Sequence, residues 1–230
     1  KKPCRVATGL LYFILAMQNK DVLVLSNTSS MQFSPRINHA IKLASHLHRN
    51  QVRKDDWRTP YVSHLFSVAL LLSKVTDDED IIIAGLMHDS LEDVPSYTYD
   101  MLVSDCGARV AEIVKHVTEP LDANKNDNEQ LPWLTRKEAY LKNLQEGSIE
   151  SAMVSAADKI HNAESFIADV LREGDSFFAR FDSSLRNKVW FHEQVLLIVE
   201  EKIRDRNPVL LDRLRSCTEA FRNLSDPSSR

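Results

Sequence analysis

From Pro35 onward the chain repeats one pattern: apolar residues recur every three or four positions, and each run is bounded by a capping residue, a proline or a glycine. Ile37, Ile41, Ala44 and Leu47 line one face of a first helix, predicted from Pro35 to about Arg49 behind Ser34. A second starts near Pro60, where His64 opens the run Leu65, Phe66, Val68, Ala69, Leu70, Leu71 and Leu72. The acids of TDDED at 76–80 provide the cap and first turn of a third, read as one helix that carries Ile81 to Asp93. Pro95 ends it, Ser96 is expected to begin another through about Val103, and Gly107 turns the chain into Ala108–Val117. Cys106, beside Gly107, is expected to pack in a loop. Residues 119–130 have no periodicity and read as a loop at a pocket mouth or a long surface connection. Trp133–Gln145, Ile149 to about Leu171, Leu185–Ile203 and Pro208 to about Phe221 complete an all-α reading.

Composition narrows this picture. Only 5 glycines in 230 residues argue against a sandwich or barrel, and there is no glycine-rich phosphate loop, so phosphate chemistry here needs a metal instead. A net charge of -4 without a basic run makes nucleic acid an unsuitable general partner, while a local basic pocket for a phosphorylated small molecule stays open. Three widely spaced cysteines, Cys4, Cys106 and Cys217, lack CxxC spacing; they point to a reducing, cytoplasmic setting and against a thiolate zinc site. Residues 1–30 do not match the rest of the chain: a basic start and short apolar runs resemble a secretory signal but lack a cleavage site and the length of a membrane span. They are expected to be an upstream extension, non-native or mis-assigned, or an element packed on the domain or a partner. The folded domain is expected over 31–222, with 223–230 a frayed tail. Membrane association is not expected, and a homo-oligomer is left open.

Candidate chemistry appears where polar groups interrupt apolar runs. His88 and Asp89 follow Ile81, Ile82, Ile83, Leu86 and Met87, and Glu92 and Asp93 stand one turn beyond them on the same faces. Asp158 falls among Ala152, Met153, Val154, Ala156, Ala157 and Ile160, with Asn162 four residues on. Buried acids in such company require partners. Taken singly, each feature has a plainer reading: an HD pair arises by chance, a histidine opening an apolar helix is more often a core residue, and the cluster Arg53, Lys54, Arg58 is more often a solvated face. Taken together, His64, His88, Asp89 and Asp158 offer two nitrogens and two carboxylates from three helices. Such a set can hold one divalent cation and leave positions for water and substrate. Mixed N and O donors suit manganese or ferrous iron; zinc, cobalt and nickel stay open.

The order H(64), HD(88, 89), ED(92, 93), D(158) resembles the HD superfamily of metal-dependent phosphohydrolases. More narrowly, Arg36, His48-x-x-Gln51-x-Arg53-Lys54, PYVSH at 60–64, GLMHDSLED at 85–93, CGARVAEIVKHVTE at 106–119 and ADKIHN at 157–162 resemble the hydrolase domain of the Rel/Spo alarmone family, over about residues 35–205. The resemblance implies an HD-domain helical bundle in which His64, His88, Asp89 and Asp158 ligate Mn2+. It implies further that Glu92 and Asp93 manage the attacking water, and that Arg53, Lys54 and Asn162 contact a phosphorylated nucleotide. The implied reaction is release of pyrophosphate from (p)ppGpp, as in the small single-domain hydrolases. One stretch departs from the family: its usual RKSGxPY reads RKDDWRTPY here, and Asp55 and Asp56 bring negative charge to the nucleotide side. Two other readings stand beside this one: a phosphatase with the same metal site acting on NADPH or another nucleotide, and a non-catalytic helical module holding a structural ion.

Overall fold

The computed structural model describes residues 33–53, 55, 57–119, 132–173 and 184–225. The expectations for residues 1–30, for Lys54 and Asp56, and for most of the 119–130 loop lie outside these. Among the described residues the regular structure is helical: α1 Pro35–Leu47, α2 Val62–Leu72, α3 Glu79–Met87, α4 Ser90–Asp93, α5 Tyr99–Cys106, α6 Ala108–Lys115, α7 Trp133–Glu146, α8 Ile149–Glu173, α9 Ser184–Ile203 and α10 Pro208–Ser225. The all-α expectation holds. No helix among the described residues is long and apolar enough to cross a membrane.

The ends of these helices obey the local chemistry. Ser34 accepts from the backbone of Ile37, with Pro35 in the first turn of α1. Asp78 caps α3 by accepting from the Asp80 amide. Gly107, at φ 97°, joins α5 to α6 in a conformation that a side chain disfavours. Three expectations need correction. The helix carrying Ile81 to Asp93 is interrupted at His88–Asp89, although the Asp93 amide still bonds the Asp89 carbonyl at 2.9 Å. The helix after Pro95 is capped by Thr98, not Ser96, because the Thr98 hydroxyl accepts from the Met101 amide. Cys106 is the last residue of α5 and is buried, not in a loop.

α8 is the axis of the molecule, packing against α2, α3, α6, α7, α9 and α10. Every residue from Ser151 to Ile160 is buried, as expected of a helix surrounded on all sides, and small residues (Ser151, Ala152, Ser155, Ala156, Ala157) let its neighbours approach. α3 is similarly enclosed from Ile81 to Met87. A Cβ added at Gly85 would lie 2.6 Å from Leu72 Cδ1, so glycine there permits the close α2–α3 contact. That contact sets His64, near the start of α2, beside His88 at the end of α3.

Candidate metal centre and active site

Four donor atoms meet where α2, α3 and α8 come together. His64 Nε2 and His88 Nε2 are 3.2 Å apart. Asp158 Oδ1 lies 3.1 Å from His64 Nε2 and 3.6 Å from His88 Nε2; Asp89 Oδ2 lies 3.6 and 3.1 Å from the same two atoms. His64, His88 and Asp89 have donor atoms all within 4.8 Å of one another. Asp158 stands against both imidazoles but outside that mutual set. The predicted convergence of the four residues is therefore present, with the imidazole pair as its centre.

The surrounding hydrogen bonds orient these donors. His88 Nδ1 faces the Gly85 carbonyl at 2.9 Å, which accepts its N–H and turns Nε2 inward. His64 Nδ1 lies 2.7 Å from His161 Nδ1, at hydrogen-bond distance. Tyr61 donates to Asp89 Oδ2 at 2.6 Å, Asn162 donates to Asp158 Oδ1 at 2.6 Å, and Lys159 holds Asp158 Oδ2 at 2.5 Å. Burial pulls down the pKa of both imidazoles; for His64 it prevails, whereas Asp89 and Asp158 outweigh it at His88, which holds a proton well above the ordinary range. Two imidazolium rings at this separation would repel, so one stays neutral. Burial opposes ionisation of Asp158, yet Lys159 and the two histidines hold its carboxyl well below the usual range; His88 does the same for Asp89 against burial. Inward-facing imidazole nitrogens with two ionised carboxylates are the donor chemistry of a divalent cation, and the residues fit one.

The acid pair stands beside this cluster. Burial, then Asp89 and Glu119, raise the Glu92 carboxyl to about 7, while Glu92 Oε2 accepts from the Glu119 amide at 3.2 Å. Asp93 is raised too, by burial and then Asp89, and its backbone carbonyl accepts from Gln51 at 3.0 Å. Gln51 in turn meets His48 Nδ1 at 2.5 Å, and the His48 ring stacks on Tyr61 with centroids 5.5 Å apart.

A cavity of about 580 Å³ lies beside this centre, between a hairpin closed by the Val52–Pro60 bridge and the helices α7, α8 and α9, and Tyr61, Lys159 and Asn162, which bond the carboxylates of the centre, are in its lining. Arg53, Asp55 and Thr59 from the hairpin, His161, Asn162, Ser165 and Asp169 from α8, and the three lysines Lys137, Lys159 and Lys188 line it. Arg53 approaches Asn162 Oδ1 at 3.4 Å, so two of the three predicted nucleotide contacts are brought together. The third, Lys54, is outside the described residues. Sequence reasoning passed over Tyr61, Lys159, His161, Glu119 and Lys137. Tyr61 lies inside the PYVSH stretch, Glu119 ends CGARVAEIVKHVTE, and Lys159 and His161 lie inside ADKIHN, so the signal was position within a motif; Lys137 had no signal beyond its charge.

Comparisons with known proteins agree with this geometry. An HD domain model matches residues 40–187. The chain is 37% identical over 125 residues to guanosine-3′,5′-bis(diphosphate) 3′-pyrophosphohydrolase MESH1 of Danio rerio, covering 53% of this chain and 64% of that protein. The Homo sapiens protein of the same name is 34% identical, with 54% and 65% covered. These matches thus span just under two thirds of the curated relatives. Among solved structures, a metazoan ortholog of SpoT described as hydrolysing ppGpp and acting in starvation responses superposes with a TM-score of 0.67 at 24% identity, over 85% of this chain and 99% of that one. At that identity it speaks to the fold. Helices that carry paired histidines and aspartates to one centre, together with a family match across most of the chain, place this protein in the HD domain family.

Proposed function

We propose that this chain is a divalent-metal-dependent nucleotide phosphohydrolase, and more narrowly a guanosine-3′,5′-bis(diphosphate) 3′-pyrophosphohydrolase that uses Mn2+. The observation that carries the reading is the set of four donor atoms from His64, His88, Asp89 and Asp158, spaced 3.1 to 3.6 Å around the imidazole pair, beside a 580 Å³ cavity whose lining residues Tyr61, Lys159 and Asn162 hydrogen-bond Asp89 and Asp158. The names of the relatives support the choice of substrate. The cation, bound there, supplies Lewis acidity toward a phosphoryl oxygen and makes water a nucleophile near neutral pH.

The remaining steps belong to the protein's own groups. Glu92, whose carboxyl burial and Asp89 raise to about 7 before a cation binds, can take a proton from the attacking water and return one to the leaving oxygen. Asp93 shares the task from the Tyr61 side, where Tyr61 fixes Asp89. Arg53 and Asn162 orient the nucleotide. For (p)ppGpp, water adds to the 3′-pyrophosphate, the bond to the ribose 3′-oxygen breaks, and pyrophosphate leaves with GDP or GTP.

Asp55 favours a second reading. Its carboxyl is ionised below the usual range, with the Thr59 amide at 2.9 Å overcoming a desolvation penalty, and it lines the cavity near Arg53. A negative wall there suits a nucleotide other than a guanosine bis-diphosphate, hydrolysed as a monoester. The products decide: Mn2+-loaded protein is incubated with ppGpp and with NADPH, and pyrophosphate and orthophosphate are measured separately. Pyrophosphate from ppGpp is the expected result; orthophosphate from NADPH alone would replace the substrate, and no release from either would remove the enzyme.

A further inference from the structure

Lys159 is buried deep in the cavity and takes no part in the proton transfers assigned to Glu92 and Asp93. It follows Asp158 directly on α8, and consecutive helix residues point about 100° apart, so they do not ordinarily meet. Its chain nevertheless curls back to place Nζ 2.5 Å from Asp158 Oδ2. The rest of the ammonium is enclosed by aromatic faces, with the Tyr140 and Phe191 rings both at 5.1 Å. An ammonium has three hydrogens to donate, and among the described residues Asp158 Oδ2 is its one oxygen partner. Such a charge is costly to bury with one acceptor unless a further anion joins it.

A second ammonium stands on the same ring. Lys137 of α7 lies 4.7 Å from the Phe191 centroid and pairs with Glu119, which Arg136 also holds at 2.9 Å. Lys137, Lys159 and Phe191 all line the cavity, as do Asp55 and, ten residues or about 15 Å further along α8 than Lys159, Asp169. The cavity therefore carries unbalanced ammonium charge next to the metal ligand Asp158, whereas at the hairpin the Arg53 cation is offset by the Asp55 carboxylate.

We propose that Lys159, assisted by Lys137, is a substrate-binding residue that receives the pyrophosphate end of the ligand, setting the nucleoside end toward Arg53 and Asp55. This deepens the phosphohydrolase reading and rests on it. The competing possibility is that Lys159 serves Asp158 alone, as a brace for the metal ligand. The two differ in sign. Removing a phosphate-binding cation weakens anion binding and leaves metal affinity intact or higher, since a positive charge near a cation repels it. Removing a brace weakens the metal.

The test uses inorganic pyrophosphate as the probe, titrated calorimetrically into protein saturated with Mn2+, and Mn2+ titrated separately. Lys159→Met is expected to lose roughly 10- to 100-fold in pyrophosphate affinity, the worth of a charge-assisted hydrogen bond. Lys159→Arg should recover to within a few fold, and Mn2+ affinity should not fall in either. Unchanged pyrophosphate binding in Lys159→Met overturns the proposal, as does a parallel loss of Mn2+ affinity. Should Lys159→Met not fold, Lys137→Met carries the same expectation, because Arg136 still pairs Glu119. A wild-type protein that binds neither Mn2+ nor pyrophosphate would fail the metal-hydrolase reading itself, a result distinct from any behaviour of the variants.

Discussion

The two ends of α3 carry similar residues and meet opposite fates. At its start, Asp78, Glu79 and Asp80 sit where the helix dipole favours negative charge, and two arginines neutralise them: Arg36 reaches Glu79 at 2.9 Å and Asp80 at 2.6 Å, and Arg109 reaches Asp78 at 2.7 Å and Asp80 at 3.0 Å. Just past its end, His88, Asp89, Glu92 and Asp93 are buried or half-buried, and the carboxylates face the negative end of the helix. No arginine pairs Asp89, Glu92 or Asp93 among the described residues, and the carboxyls of Glu92 and Asp93 are driven upward. An acidic cluster is therefore structural or chemical according to how its charge is compensated. Counting acids does not separate the two.

The sharpest break in that contrast is removal of a donor at the far end. His88→Ala or Asp158→Ala is expected to abolish measurable hydrolysis and to weaken Mn2+ binding beyond detection, read by calorimetry. Full metal affinity in both variants would dissolve the centre. Next, Glu92→Gln and Asp93→Asn should keep the metal and lose on the order of 100-fold or more in kcat. Wild-type rates in either would take that residue out of the acid pair.

Glu92 also ties function to stability. Its carboxyl moves from an ordinary 4.5 to about 7 on folding, so the folded state binds the proton more tightly than the unfolded one. The stabilisation that this proton brings is complete below about 4.5 and is lost as pH rises through 7, a difference on the order of 3 kcal/mol. Gln mimics the protonated form at every pH. In chelator, Glu92→Gln should therefore raise the Tm at pH 8 and lose that advantage near pH 4.5. A carboxyl that costs stability, if it serves the proposed reaction, is the expected trade between activity and fold. Equal Tm values at pH 8 would show that Glu92 is not strained by its surroundings.

Much of this was legible in the sequence because helical periodicity is local. The runs at Ile37–Leu47, Leu65–Leu72 and Ile81–Met87 gave the helices, and polar residues inside apolar runs gave His64, His88, Asp89 and Asp158. The break at His88–Asp89 was not legible, since both residues keep right-handed helical backbone angles and change only the pairing. Nor was the link between Glu92 and Glu119, 27 residues apart, or the packing of Lys159 on the Tyr140 and Phe191 rings with Lys137 over the same Phe191, which joins three helices. Such contacts depend on tertiary packing and leave no periodic trace.

The smallest expected effect tests the other end of α3. Arg109 is half-exposed, and its bonds to Asp78, Asp80 and Glu150 lie in water, so each ion pair is worth at most about 1 kcal/mol. Arg109→Ala should lower stability by roughly 1 kcal/mol in denaturant titrations, less at high salt, and leave Mn2+ affinity and the rate of hydrolysis unchanged. If the acids at the two ends were parts of one electrostatic unit, freeing Asp78, with Asp80 left to Arg36 alone, would add negative charge to the field at His88 and tighten the metal. A change in Mn2+ affinity of about tenfold, worth roughly 1.4 kcal/mol, would show that coupling and join the two clusters into one. Unaltered affinity would confirm that an exposed, arginine-paired cluster and a buried, imidazole-paired one act independently across a single short helix.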